Sequence, residues 1–182
     1  PFIDVDNAKI RAIYEDHNQN LWIGCYHRGM VMVSKESTPF HFWSVPTREY
    51  PQAGVITALY KDDDGHIVSG VEGEGVFKIT SEGNITDHLF SGKTVSSIYK
   101  DYSGNLWFGG YYSGLYMQDA KGNVRFMLPE IKLKDIKKIT GDDKGNLYLS
   151  LFGSGFIRYH LPTQTVTEYQ SSSGGLRNNW IY

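Results

Sequence analysis

Cysteine is nearly missing from this chain of 182 residues: Cys25 stands alone, so neither an internal disulfide nor a cysteine metal cluster can form. Proline is sparse at six, and no stretch approaches the roughly 18 consecutive apolar residues of a membrane helix. Charge of one sign is lacking as well. Eighteen basic side chains face 20 acidic ones, a net charge of −2 at pH 7, which leaves no general cationic surface for a nucleic-acid backbone, so nucleic acid is not an expected partner. No signal peptide and no initiator Met open the chain, which reads as a trimmed piece whose targeting information has been cut away. Helical periodicity is missing too; the best candidate, Glu130 to Lys138, keeps no 3.6-residue period and sits where a connection between repeats belongs.

What the chain has in abundance is glycine, 20 residues, and aromatic side chains, 14% of the total, both arranged in a repeat. The first copy runs Ile10-Arg-Ala-Ile-Tyr-Glu-Asp16, Asn20-Leu-Trp-Ile-Gly24, Gly29-Met-Val-Met-Val33. A more diverged second reads Ile56-Thr-Ala-Leu-Tyr-Lys-Asp62, Gly65-His-Ile-Val-Ser-Gly70, Gly75-Val-Phe-Lys-Ile79. The third is Val95-Ser-Ser-Ile-Tyr-Lys-Asp101, Gly104-Asn-Leu-Trp-Phe-Gly109, Gly114-Leu-Tyr-Met117, and the fourth Ile136-Lys-Lys-Ile-Thr-Gly-Asp142, Gly145-Asn-Leu-Tyr-Leu-Ser150, Gly155-Phe-Ile-Arg-Tyr159. Equivalent residues Ile13, Leu59, Ile98 and Ile139 are 46, 39 and 41 residues apart, and a fifth copy starts at Asn179-Trp-Ile-Tyr182. Each copy supplies three short β-rich runs and a looser fourth, at 40–43, 85–90, 124–127 and 166–169.

Four antiparallel strands per repeat is the pattern of a β-propeller blade. Both alternating faces of Leu21-Trp22-Ile23 and Leu106-Trp107-Phe108 are apolar, as a sheet stacked between two neighbours requires. The innermost strand should carry small residues; Ala12, Ala58 and Ser97 meet this and Lys138 does not. The reading is therefore all-β, a single propeller segment over 1–182 with repeat cores at 10–33, 56–79, 95–117 and 136–159. Turn chemistry supports it. Asp62, Asp101 and Asp142 are each followed three residues later by glycine, so the carboxylate can cap turn N–H groups while the glycine takes positive φ. In the first copy Gln19 stands in the glycine's place, and Asn18 or Asn20 is expected to supply the positive φ. Tyr14, Tyr60, Tyr99, Trp22 and Trp107 read as packing residues.

The run Ile-x-x-Ile-x-x-Asp-x-x-Gly-Asn-Leu-Trp-Ile-Gly followed by Gly-Leu resembles the two-component regulator propeller repeat. The copies depart from it at Val68, Ser69, Tyr148 and Ser150. That resemblance implies the extracytoplasmic sensor region of Bacteroidetes hybrid two-component systems, in which seven-bladed propellers precede an immunoglobulin-like domain, a membrane span and a histidine kinase. It implies a periplasmic segment of a parent anchored in the inner membrane, an oligosaccharide ligand, and partners in the remaining blades and downstream domains. Four repeats are too few for such a ring, so this chain is expected to be an open piece of it, prone to self-association through its uncovered blade faces.

Ligand groups are expected in the loops between second and third strands, which vary while their flanking strands repeat. Tyr26, Tyr111, Tyr112 and Phe152 can stack on the apolar face of a sugar, and His27, Arg28, Glu72 and Glu74 can bond its hydroxyls or a charged substituent. The competing readings are a protein-binding platform and an enzyme resembling the streptogramin lyases. The enzyme reading has only His27 with Glu72 or Glu74 as an acid/base pair, and Trp107-Phe108 is followed by Gly109-Gly110 where those lyases carry Thr-Glu. No catalytic residue, metal or cofactor is assigned. The run Asp62-Asp63-Asp64-Gly65 lacks EF-hand spacing, and the histidines lack metal-ligand spacing.

Overall fold

The computed structural model describes residues 8–27, 29–35, 41–43, 45, 54–131 and 134–181. Each repeat folds as one antiparallel sheet of four strands joined in chain order. The first sheet holds β1 (Ile10–Glu15), β2 (Leu21–Cys25), β3 (Gly29–Val33) and β4 (His41–Trp43); the second holds β5 (Ile56–Lys61), β6 (Ile67–Val71), β7 (Gly75–Ile79) and β8 (Ile85–Leu89). The third holds β9 (Thr94–Lys100), β10 (Leu106–Tyr111), β11 (Gly114–Gln118) and β12 (Val124–Met127); the fourth holds β13 (Ile136–Gly141), β14 (Asn146–Leu151), β15 (Gly155–His160) and β16 (Thr165–Tyr169). Where the sequence offered its best helical segment, the chain makes one short 3-10 turn, Pro129–Ile131, before entering β13. The chain divides into two compact units, Pro1–Thr94 and Val95–Tyr182, each with two of the sheets.

Both units are built alike. In the first, Trp22, Met30, Ile56, Ile67, Val71, Phe77 and Ile79 form the buried core, and Trp22 stacks on Trp43 with ring centroids 5.1 Å apart. In the second, Trp107, Leu115, Ile136, Ile139, Leu147, Leu149, Leu151 and Ile157 do the same. Fully burying one such aliphatic side chain contributes about 1.5–3 kcal/mol, so each pair of sheets is held chiefly by this shared apolar layer. The glycine that ends the Trp-x-Gly run lets the sheets approach. A Cβ on Gly24 would stand 3.0 Å from Ile56 Cγ2, and one on the equivalent Gly109 would stand 2.7 Å from Ile136 Cγ2. The small inner-strand residue has a second use at Ser97, whose Oγ accepts the Ile139 N–H of the neighbouring sheet at 2.9 Å. Lys138, at that inner-strand position in the fourth copy, is solvent-exposed.

A register shift recurs at the start of the first strand, between Ile10 and Ala12, Ile56 and Ala58, and Ile136 and Lys138. Such a bulge bends the strand where it meets the loop after the second strand. The exposed side chains Ile10 and Ile13, at 52% and 60%, contrast with Ile139 at 1%, the equivalent of Ile13 in the fourth copy.

Candidate functional site

The two ends of the sheets differ in chemistry. At one end lie the turns between first and second strands, where Asp16 Oδ1 accepts the N–H groups of Asn18 and Asn20 (2.9 and 3.0 Å) and Oδ2 accepts Asn20 Nδ2 and Trp22 Nε1 (both 3.0 Å). Asp101 repeats the cage with Ser103, Asn105 and Trp107. Asp142 repeats it with Lys144 and Asn146, and Tyr148 Oη donates at 3.0 Å in place of the indole. Burial works against the charge on Asp16, yet the bonds from Trp22 and Asn20, aided by nearby Lys61, outweigh it and lower its pKa from 3.8 to about 2. For Asp142 the backbone and side-chain amides of Asn146 lead, with the same result of about 2. The recurring tryptophans Trp22 and Trp107 are thus packing residues that also cap a carboxylate. The glycine place of the first turn is taken by Gln19 itself, at φ 62°. That corrects the expectation of Asn18 or Asn20: Asn20 is held instead by its two bonds to Asp16.

At the other end, the loops between second and third strands share a backbone frame. Their first residue donates its N–H to the residue just before its own first strand: Tyr26 to Lys9 O (2.7 Å), Glu72 to Val55 O (2.9 Å) and Phe152 to Asp135 O (3.0 Å). Their next residue lies in the left-handed region, at φ 54° for His27, 70° for Gly73, 46° for Tyr112 and 67° for Gly153. Glycine opens the following strand because a Cβ on Gly75 or Gly155 would stand 2.3 or 2.1 Å from the carbonyl oxygen of Leu89 or Tyr169. Two of the four loops therefore spend glycine at the left-handed place and two put a ring there, at a cost of order 1–2 kcal/mol each.

In the second unit this frame gathers aromatic rings. Asp135 ties two loops together: its carboxylate Oδ1 accepts the Tyr112 N–H at 2.9 Å while its carbonyl accepts the Phe152 N–H. Phe152 meets Trp180 edge to face, centroids 4.9 Å apart at 81°. The stretch carrying Trp180 is itself anchored, since Asn179 O accepts the Gly155 N–H and Asn179 Oδ1 the Ser171 N–H at 2.7 Å. Tyr112, Trp180, Phe152 and Tyr111 remain 73%, 51%, 47% and 39% exposed, an unusual amount of uncovered ring for so small a region.

The first unit places its candidates differently. Tyr26 is half-buried between the Arg11 guanidinium, 4.9 Å from its ring centroid, and the His27 ring at 4.0 Å. Glu72 is exposed; Glu74 is half-buried, and its carbonyl accepts His88 Nε2–H at 2.6 Å. Arg28 lies outside the described residues. The backbones of Tyr112 and Phe152 are thus tied to one residue, and sequence reasoning missed both that residue, Asp135, and Trp180, which meets the Phe152 ring. The signal was present: aligning the fifth copy puts Trp180 in the same pre-strand place as Asp135 and Thr94, and Thr94 Oγ1 accepts the Gly73 N–H at 2.9 Å as the Asp135 carboxylate does for Tyr112.

Two segments of the chain, residues 4–27 and 89–112, match the two component regulator propeller family. A comparison with curated protein sequences gave no match. Among solved structures the chain is similar to the extracellular domain of a B. thetaiotaomicron protein named as a hybrid two component system, at 23% identity and a TM-score of 0.75, over 92% of this chain and 24% of that one. It is also similar to virginiamycin B lyase from Staphylococcus aureus (15% identity, TM-score 0.73, 92% of this chain and 57% of that one). A third is PorZ, a surface component of the type-IX secretion system of Porphyromonas gingivalis (14% identity, TM-score 0.67, 95% and 29%). These likenesses show the fold, about four blades of a β-propeller, and the chain spans about a quarter of the length of the first of these structures.

Proposed function

We propose, for a chain built of two component regulator propeller repeats, a non-catalytic ligand-sensing segment of an extracytoplasmic sensor, with the loop ends of its sheets as the binding face and an oligosaccharide as the ligand. The observation that carries it is the edge-to-face pair of Phe152 and Trp180 beside a loop whose Tyr112 backbone is tied, like that of Phe152, to Asp135. Exposed rings on a fixed frame stack on the apolar face of a sugar, and the backbone anchoring means little ordering is needed on binding. The remaining blades of the parent cover Ile10 and Ile13, and ligand binding biases their relation to the following domains, so that the signal reaches a histidine kinase elsewhere in the protein. The sensor segment is periplasmic in this reading, with the parent anchored in the inner membrane; among the described residues no helix is long and apolar enough to cross a membrane.

Thermal unfolding of the parent sensor region against a panel of defined oligosaccharides tests this. One glycan at about 100 times its dissociation constant should add about 2.7 kcal/mol of stability, and Phe152→Ala or Trp180→Ala should remove that gain. A gain that survives both substitutions would move the site away from this ring pair. No gain with any glycan, together with capture of a protein partner that Trp180→Ala abolishes, would replace the sensor by a protein-binding platform.

A further inference from the structure

The second repeat breaks the capping rule that the other three obey. Where the first, third and fourth copies place Asn20, Asn105 and Asn146, each donating its side-chain amide to the turn carboxylate, the second has His66; where they place Trp22, Trp107 and Tyr148, each donating a further bond, it has Val68. Asp62 has therefore lost two donors. Its Oδ1 keeps the His66 N–H at 2.9 Å, and its Oδ2 takes the Lys78 ammonium at 2.7 Å. His66 Nδ1 stands 3.5 Å from Asp62 Oδ1, shielded from solvent and without a hydrogen bond. That separation is an ion-pair distance outside hydrogen-bond range.

Asp64 completes the arrangement: one ligand atom each from Asp62, Asp64 and His66 lie within 4.8 Å of one another. Ligands of a tetrahedral zinc ion at bond lengths of about 2.0–2.2 Å are separated by roughly 3.3–3.6 Å. Rotation of the exposed Asp64 side chain supplies the remaining contraction. A cavity of about 420 Å³ opens beside Asp64 and His66, which line it together with His17, Thr80, Ser81 and Glu82. It leaves room for water at an open coordination place. Three carboxylates, on Asp63, Asp64 and Glu82, and one ammonium group, on Lys61, line this space. The balance is two negative charges.

We propose that the turn between β5 and β6 binds a single transition-metal dication, zinc being the representative, through Asp62 Oδ1, Asp64 and His66 Nδ1. A mixed imidazole and carboxylate set selects such an ion over calcium or magnesium, which take oxygen donors in larger number. The site lies at the turn end of the first unit and is independent of the ring pair in the second.

The test is calorimetric titration of the chelator-treated protein with zinc, read alongside thermal unfolding. One saturable equivalent and a rise in melting temperature are expected, with no comparable response to magnesium or calcium. His66→Asn restores the residue the other three copies carry, so it should keep the zinc-free protein at least as stable while weakening zinc binding more than about tenfold; Asp64→Asn should weaken it as well. Absence of saturable zinc binding would overturn the proposal. So would zinc binding that His66→Asn leaves unchanged.

Discussion

The two ends of each sheet obey opposite rules. At the turn end, the same carboxylate cage is rebuilt three times with the same atoms, and where the indole is lost, at Tyr148, a phenol takes over its bond to Asp142. At the loop end only the backbone frame is kept, and the side chains hung on it change from copy to copy: Tyr26 and His27, Glu72 and Gly73, Tyr111 and Tyr112, Phe152 and Gly153. Repeated chemistry with its hydrogen bonds filled is scaffold; varied chemistry on a constant frame is where a ligand can be read. The second copy departs at its turn end, and there a different chemistry has room to enter.

Substitutions at the turn end should unfold the protein. Asp101→Ala removes the acceptor of four bonds and leaves Trp107 Nε1, in a side chain only 2% exposed, without a partner. A loss of about 2–4 kcal/mol is expected from urea unfolding. A loss below about 0.5 kcal/mol would mean that the cages are incidental and would erase the contrast between the ends.

A smaller effect follows from acid. Asp16 and Asp142 have folded pKa values of about 2 against 3.8 in an unfolded chain. A carboxylate whose folded pKa is depressed stabilises the fold fully above its unfolded value, and that stabilisation is lost as pH falls through the folded one. Stability should therefore decline between about pH 5 and pH 2. The difference in urea midpoint between wild type and Asp142→Asn should shrink over the same window; a constant difference would show that the cage does not depend on ionised carboxylate.

Much of the scaffold was legible because its causes are local. Strand runs, the aspartate-to-glycine spacing and the strand-opening glycines Gly75 and Gly155 follow from turn geometry and steric clash, which a short window of sequence contains. Less of the site was legible, since its parts meet through pairing between distant residues. Tyr112 and Phe152 could be picked as loop aromatics, but Asp135 lies 23 residues after one and 17 before the other, and Trp180 belongs to the next copy. The pairing of Asp64 with His66 was hidden for another reason: the run of aspartates reads as a turn until the missing asparagine and indole are noticed at positions 66 and 68.

The most direct measurement is a paired one on Tyr112→Gly, in the parent sensor region, of stability and of glycan binding. Glycine fills this left-handed place in two of the other loops, so the substitution relieves backbone strain and should leave stability unchanged or raise it by up to about 1 kcal/mol. Glycan binding should fall more than about tenfold. That combination would show a ring kept at a strained place for its ligand. A variant that loses stability yet binds glycan as before would contradict it, and would make Tyr112 part of the scaffold.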